Sequence, residues 1–273
     1  MLHLLHQDKK VADALLAKVE DTRKLRKELM AVKKLARERS KAVSLRIPQL
    51  KDCKKHFNKE KGKGLDTMVF ITEGVSAAGS IVSCRDVNSQ AIFTLKGKPL
   101  NVWDLKRDAV YKNDELYNLM CSLGIENSIH DLRYEKVILA TDADVDGLHI
   151  RNLMITYFFK FFDQLIHEGH LYILETPLFR VRNRKKTIYC YSDQEREKAI
   201  QTLAKGVEIT RFKGLGEISP TEFKHFIGQD MRIHRVEHAS QKEANHIFTF
   251  YMGKNTPQRR NYIMNHLVVP VED

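Results

Sequence analysis

Apolar or small residues recur every three or four positions from Val11 through Leu15, Val19, Thr22, Leu25, Leu29 and Val32 to Ala36. No Gly or Pro interrupts them before Pro48. This period puts one narrow apolar stripe on a long helix, which Pro48 should end. Basic residues such as Arg23-Lys24, Arg26-Lys27 and Lys33-Lys34 fill the other faces. So narrow a stripe suits a connector or docking arm better than a domain centre; a calmodulin-target or membrane-surface helix has a similar pattern and ranks below it. KEKGKGLD then reads as a loop or linker. From Met68 the pattern changes. MVFITEG is an apolar run closed by Glu-Gly, and VSAAGSIVSC suits the first turns of a helix. YEKVILATDADVDG repeats the form, an apolar β-branched run followed by acidic residues and Gly. LHIRNLMITYFFKFFDQLIHEGH has helical spacing with Gly169 as its stop, and LYILETP is a further buried strand closed by Pro177. Strands alternating with helices predict an α/β domain with a mainly parallel sheet. After Thr187 short strands and helices mix, in TIYCYS, DQEREKAIQTLA and EITRF.

Composition narrows the class. The chain of 273 residues is 42% hydrophobic and 30% charged, which argues against a disordered chain and a membrane protein. No apolar run approaches the roughly 20 residues of a membrane span. The first residues lack the basic start, apolar stretch and cleavage site of a secretory signal. Cys53, Cys84, Cys121 and Cys190 lie far apart with no CxxC pair, which fits reduced thiols in a cytosol better than disulfides or zinc. The formal charge of +11 suits a polyanionic partner, nucleic acid among them, and equally a basic soluble surface.

The sharpest local feature is Asp142-Ala143-Asp144-Val145-Asp146-Gly147, directly after the strand Val137–Ala140. In an extended segment alternate residues share a side, so at least Asp142 and Asp144 can converge. Carboxylates this close repel unless a cation neutralises them, and oxygen-only ligands select Mg²⁺, Mn²⁺ or Ca²⁺. An EF-hand loop is excluded, because its twelfth position is Leu153 and a strand precedes it. A phosphoryl-transferring D-x-D site and a solvated acidic loop capping the next helix remain open. Glu73 shifts the balance toward metal. It too follows an apolar strand, and residues just beyond the carboxyl ends of parallel strands share a crevice. Leu95-Lys96-Gly97-Lys98-Pro99-Leu100-Asn101 and Arg211-Phe212-Lys213-Gly214-Leu215-Gly216-Glu217 place Lys beside Gly, suited to phosphate contact or simply to exposed turns. His149 and Arg151 lie one helical step beyond the aspartates. The aromatic cluster Phe158, Phe159, Phe161 and Phe162 is expected in the core.

These motifs, in this order and over nearly the whole chain, resemble the C-terminal half of the B subunit of bacterial type IIA DNA topoisomerases. Within that gyrase and topoisomerase IV group the chain looks closer to topoisomerase IV. The resemblance rests on Ile71 to Ser80, Gln90-Ala91 with Leu95 to Asn101, Thr141 to Gly147 with His149-Ile150-Arg151, Gly169 to Tyr172, Pro177-Leu178, Phe212 to Glu217 and Arg259-Arg260. It implies a TOPRIM domain with a Rossmann-like sheet, preceded by a long helix and followed by a smaller α+β tail. The implied division is 1–50 for a transducer-like helix and connector, 51–67 for a linker, 68–182 for TOPRIM and 183–273 for the tail. It further implies Mg²⁺ at Glu73, Asp142, Asp144 and Asp146, with Mn²⁺ or Ca²⁺ able to substitute in binding. Lys96 and Arg151 would support the chemistry, and Lys96, Lys98, Lys213 and His149 would contact double-stranded DNA. The tyrosine that attacks phosphorus would come from a partner A subunit, in an A2B2 assembly at the bacterial nucleoid in the cytoplasm. Two departures stand out. Val75 replaces the Asp of the family's Glu-Gly-Asp-Ser-Ala, and Val87-Asn88-Ser89 stand where basic residues are common. No ATPase domain precedes residue 1 in this sequence, so ATP hydrolysis is expected only of a longer protein.

Overall fold

The computed structural model of the chain describes residues 9–42, 47–58, 66–228, 230–238 and 240–267. The expected helix is α1 (Lys9–Ala42). Leu15 and Val19 of its stripe are more than half exposed. The side chains at 11, 25, 29 and 36, the approach to Pro48 at 43–46 and the linker residues 59–65 lie outside the described residues. By its contacts the chain divides in two. The described part of residues 1–46 joins Lys106–Asp114, and residues 47–105 and 115–273 form a second unit. In the first, Lys106 makes an ion pair with Glu28 of α1.

The second unit opens with β1 (Leu50–Lys51), β2 (Met68–Thr72), α2 (Val75–Cys84) and β3 (Gln90–Thr94). After α3 (Asp108–Lys112), which belongs to the first unit, come α4 (Asp114–Leu123), β4 (Lys136–Ala140), α5 (Val145–Phe161), α6 (Asp163–His167) and β5 (Leu171–Glu175). The remainder is β6 (Phe179–Arg182), β7 (Thr187–Cys190), α7 (Asp193–Leu203), β8 (Glu208–Arg211), α8 (Pro220–Phe226), β9 (Arg232–Arg235), α9 (Gln241–Met252) and α10 (Thr256–His266). A six-stranded sheet runs β1-β3-β2-β4-β5-β9, and its four inner strands are parallel. The two outer strands pair antiparallel. β2 is buried along its length, as a parallel strand covered on both faces must be, and this is why MVFIT and VILA are unbroken apolar runs. The chain leaves β2 for β3 on one side, then crosses back to β4 on the other. The strand order therefore reverses between β2 and β4.

One core joins this sheet to the C-terminal elements. Phe70, Ile92 and Ile138 of the strands, with Ala77, Ala78 and Ile81 of α2, pack with Phe212, Leu215, Ile218, Phe223 and Phe226. A three-stranded antiparallel sheet, β7-β6-β8, has its own small core of Phe179, Val181, Cys190, Ala199 and Leu203. The single helix expected before Gly169 is two, because the backbone leaves the helical region at Phe162 (φ −142°, ψ 40°). There the Phe162 ring turns inward, 5.3 Å from that of Tyr157. Phe158 and Phe159 are buried as well.

Glu222 of α8 ties that helix to the small sheet. Its carboxylate accepts from Arg180 (2.8 Å), Tyr189 (2.7 Å) and Ser219 (2.7 Å). Burial works to raise its pKa, but the donors from Arg180, Ser219 and Tyr189 outweigh burial and bring it down to about 2 from 4.5. A carboxylate with a depressed folded pKa stabilises the fold above its unfolded pKa and loses that contribution as pH falls through the folded one. Wild type should therefore exceed Glu222→Gln in stability at pH 7. The gap should close between pH 4.5 and about 2, read by urea unfolding at each pH. In the main core, Ile138→Ala should cost roughly 2–5 kcal/mol in the same assay.

Candidate acidic site at the strand crossover

β2 and β4 are neighbours in register, Thr72 opposite Ala140, so the residues that follow emerge side by side. Those residues are Glu73 and the segment from Thr141. The Asp142 amide faces Glu73 Oε2 at 3.4 Å. Glu73 is half-buried, and its pKa is pushed up to about 7, first by burial and then by the hydrogen bond and charge of Asp142, with Asp144 adding repulsion. The crevice thus gathers more negative charge than it neutralises, and near neutral pH a proton answers part of the excess.

Asp144 takes a second role. It is the N-cap of α5, and its Oδ1 accepts from the Gly147 amide at 2.8 Å. The capping-loop alternative thus describes this residue's own contact. Asp146 lies within the first helical turn, where strand alternation no longer holds, and pairs with Lys98 Nζ at 2.7 Å. Gly147 is required by close approach, because a Cβ there would overlap the backbone of Asp142. Arg151, one turn further, donates from Nε to Thr141 Oγ1 at 3.3 Å, and burial lowers its pKa.

The basic residues are distributed around this edge. Leu95 donates its amide to Thr72 O at 2.8 Å, so Lys96 follows directly beside the end of β2. The Lys96 side chain is exposed, while its amide is fixed by Glu115 Oε1 at 2.6 Å. Lys213 is exposed at the start of the Lys-Gly-Leu-Gly-Glu turn. That turn reaches the acidic site in a way the spacing did not foretell: the Leu215 amide donates to Asp142 Oδ1 at 2.6 Å. His149 is exposed and lines a groove of about 500 Å³ with Asn101, Asp104, Lys254 and Arg259. Val75, the first residue of α2, is 83% exposed.

Among the described residues, the one set of three or more His, Cys, Asp or Glu ligand atoms within 4.8 Å of each other is Asp52, Cys53 and His56. That set already has its cation. Arg133 pairs with Asp52 and lies 2.8 Å from His56, and Tyr134 donates to Asp52 at 2.6 Å. Burial and Asp52 hold the Cys53 thiol up at about 11, so it stays protonated at neutral pH in the metal-free protein. The cluster pins the segment after β1 to the loop before β4.

Comparison with known proteins agrees with this architecture. The Toprim domain family matches residues 68–176, and the family of the DNA gyrase B subunit carboxyl terminus matches residues 204–264. The B subunit of DNA topoisomerase 4 from Borreliella burgdorferi is 57% identical over 97% of this chain. The chain belongs to the type IIA topoisomerase B-subunit family. The DNA gyrase B subunit of Thermus thermophilus, another member, is 34% identical over 97% of the chain. The chain spans 44% of the length of the first relative and 43% of the second. A crystal structure of the Plasmodium falciparum topoisomerase II DNA-binding, cleavage and re-ligation domain shares the fold. Its TM-score is 0.69 at 24% identity, covering 82% of this chain and 32% of that one. Among the described residues no helix of this family member is long and apolar enough to cross a membrane.

The raised pKa of Glu73 sets a pH dependence for the metal-free protein. An acid whose folded pKa exceeds its unfolded value supports the fold at low pH, and that support is lost as pH rises from 4.5 through about 7. Glu73→Gln should therefore melt higher than wild type at pH 8. At pH 4 the two should melt together, by differential scanning calorimetry in chelator.

Proposed function

We propose that the chain is the DNA cleavage-and-religation module of a type IIA topoisomerase B subunit. In this reading it acts on double-stranded DNA at the bacterial nucleoid, in an A2B2 assembly whose A subunit supplies the tyrosine nucleophile. ATP hydrolysis belongs to a further domain of the full-length protein. Residues 1–50 form the transducer-like connector, 51–67 the linker, 68–182 the TOPRIM domain and 183–273 the tail. The observation that carries the reading is the meeting of Glu73 and Asp142 at the point where the strand order reverses, the place where open α/β sheets bind ligands.

The donor set fits a hard divalent cation. It offers only oxygens, and the pKa of Glu73 is pushed up to about 7, first by burial and then by the hydrogen bond and charge of Asp142. Glu73 and Asp142 would hold Mg²⁺, with Asp144 and Asp146 beside them; Mn²⁺ or Ca²⁺ can take the same oxygens. When bound, such an ion supplies positive charge against the scissile phosphodiester. The chain's own residues do the rest. Lys96, Lys98, Lys213 and His149 would bind and orient the phosphates on either side. Arg151, through Thr141, keeps the start of the aspartate segment in place. Glu73 would also serve as acid and base for the 3′ oxygen as it leaves and returns. Val75 leaves the mouth of the site one negative charge poorer than the family pattern.

The test mixes the protein, within its full-length subunit, with a topoisomerase A subunit, Mg²⁺ and supercoiled DNA, and traps covalent A-subunit–DNA adducts. Adducts should form and should fall about a hundredfold or more with Asp142→Ala. Retained DNA binding with no adducts in the wild type would leave a non-catalytic DNA-binding and docking role. Nuclease or phosphatase turnover without the A subunit would favour a stand-alone phosphotransferase.

A further inference from the structure

Asp142 is held from two directions. Its backbone amide meets Glu73, while its side chain is grasped by the turn that follows β8, 73 residues further along the chain. Leu215 N donates to Oδ1 at 2.6 Å, the short geometry of a charge-assisted bond. Gly214 lies against the other oxygen, since a Cβ placed there would stand 2.8 Å from Oδ2. The turn cannot adapt to Asp142, because it is fixed independently. Phe212, Leu215 and Ile218 are buried in the core shared with Phe70, Ala77, Ile81 and Ile138. Phe212 donates its amide to Leu178 O at 2.9 Å, and Lys213 donates its amide to Glu217 Oε2 at 2.9 Å. Glu217 returns its own amide to Gly214 O at 3.1 Å.

We infer that Gly214-Leu215 is a positioning clasp for Asp142. The Leu215 amide sets the rotation of the carboxylate, and the missing side chain at Gly214 keeps the space beside Oδ2 open for a cation. Metal affinity, and with it the preference for a cation of strict geometry, then depends on a turn outside the Toprim match at 68–176. Mg²⁺ demands near-ideal octahedral oxygen placement, whereas Ca²⁺ accepts looser ligand sets. A carboxylate released from the clasp should therefore lose Mg²⁺ more than Ca²⁺. This inference rests on the proposed metal site at Glu73 and Asp142.

The experiment measures Mn²⁺ binding by the 273-residue chain, following the free ion by electron paramagnetic resonance, with Mg²⁺ and Ca²⁺ as competitors. Two variants release the clasp differently. Gly214→Ala fills the space at Oδ2. An ester in place of the Leu215 amide, introduced as the leucine α-hydroxy acid, removes the donor and keeps the buried side chain. Calorimetry in chelator shows that each variant is folded, and the ester carries the test should Gly214→Ala unfold. Both should weaken Mn²⁺ and Mg²⁺ roughly 10- to 100-fold, the range for groups that orient metal ligands. Ca²⁺ should weaken several-fold less, a split that general loss of stability would not produce. Folded variants with wild-type Mg²⁺ affinity and an unchanged Mg²⁺-to-Ca²⁺ ratio would overturn the clasp. Asp142→Ala separates the two readings: if it leaves Mn²⁺ binding intact, the metal site itself is wrong.

Discussion

Like charges brought together at the carboxyl edge of two neighbouring parallel strands constrain everything around them. Register between β2 and β4 places Glu73 and the Asp142 segment side by side, and no cationic side chain contacts Glu73 or Asp142 among the described hydrogen bonds and ion pairs. Two basic side chains of this edge are engaged elsewhere, Lys98 with Asp146 and Arg151 with Thr141. Backbone amides hold the carboxylates instead, from Asp142 to Glu73, from Gly147 to Asp144 and from Leu215 to Asp142. Amides orient carboxylates without neutralising a full charge, so the crevice stays short of positive charge. A divalent cation, as proposed for this crevice, would supply it.

The same constraint explains why the C-terminal elements cannot be a loose appendage. The turn at 212–217 touches the acidic crevice, and it is steady because Phe212, Leu215 and Ile218 share a core with β2, α2 and β4. Behind it, Glu222 fastens α8 to β6 and β7 through Arg180 and Tyr189. Packing, hydrogen bonding and the placement of one carboxylate oxygen thus form a continuous chain of contacts. The Asp52–Arg133–Tyr134 cluster shows the contrasting solution, in which a built-in guanidinium closes the charge balance and leaves nothing for a metal to do.

Much of this was legible in the sequence where burial leaves a pattern. The inner strands declare themselves as MVFIT and VILA because both faces are covered, and Glu73 and Asp142 are found because they follow such runs. The long basic helix is equally plain from its period. What stayed hidden lacks a side-chain signature. β9, Arg-Ile-His-Arg, is a strand only through its backbone pairing with β5. The break at Phe162 depends on where one ring fits the core. The departure of Asp146 from the row of aspartates follows from α5 beginning at Val145. The Leu215 amide is a backbone donor, and no residue type announces it.

If the crevice between β2 and β4 is a divalent-cation site set by Glu73 and Asp142, manganese should enter it and touch both. Crystals soaked in Mn²⁺ and measured at the manganese absorption edge decide the matter. The expected result is an anomalous peak within about 2.2 Å of carboxylate oxygens from both Glu73 and Asp142. A crevice without such a peak at saturating Mn²⁺, or manganese found only beside Asp52 and His56, would contradict it.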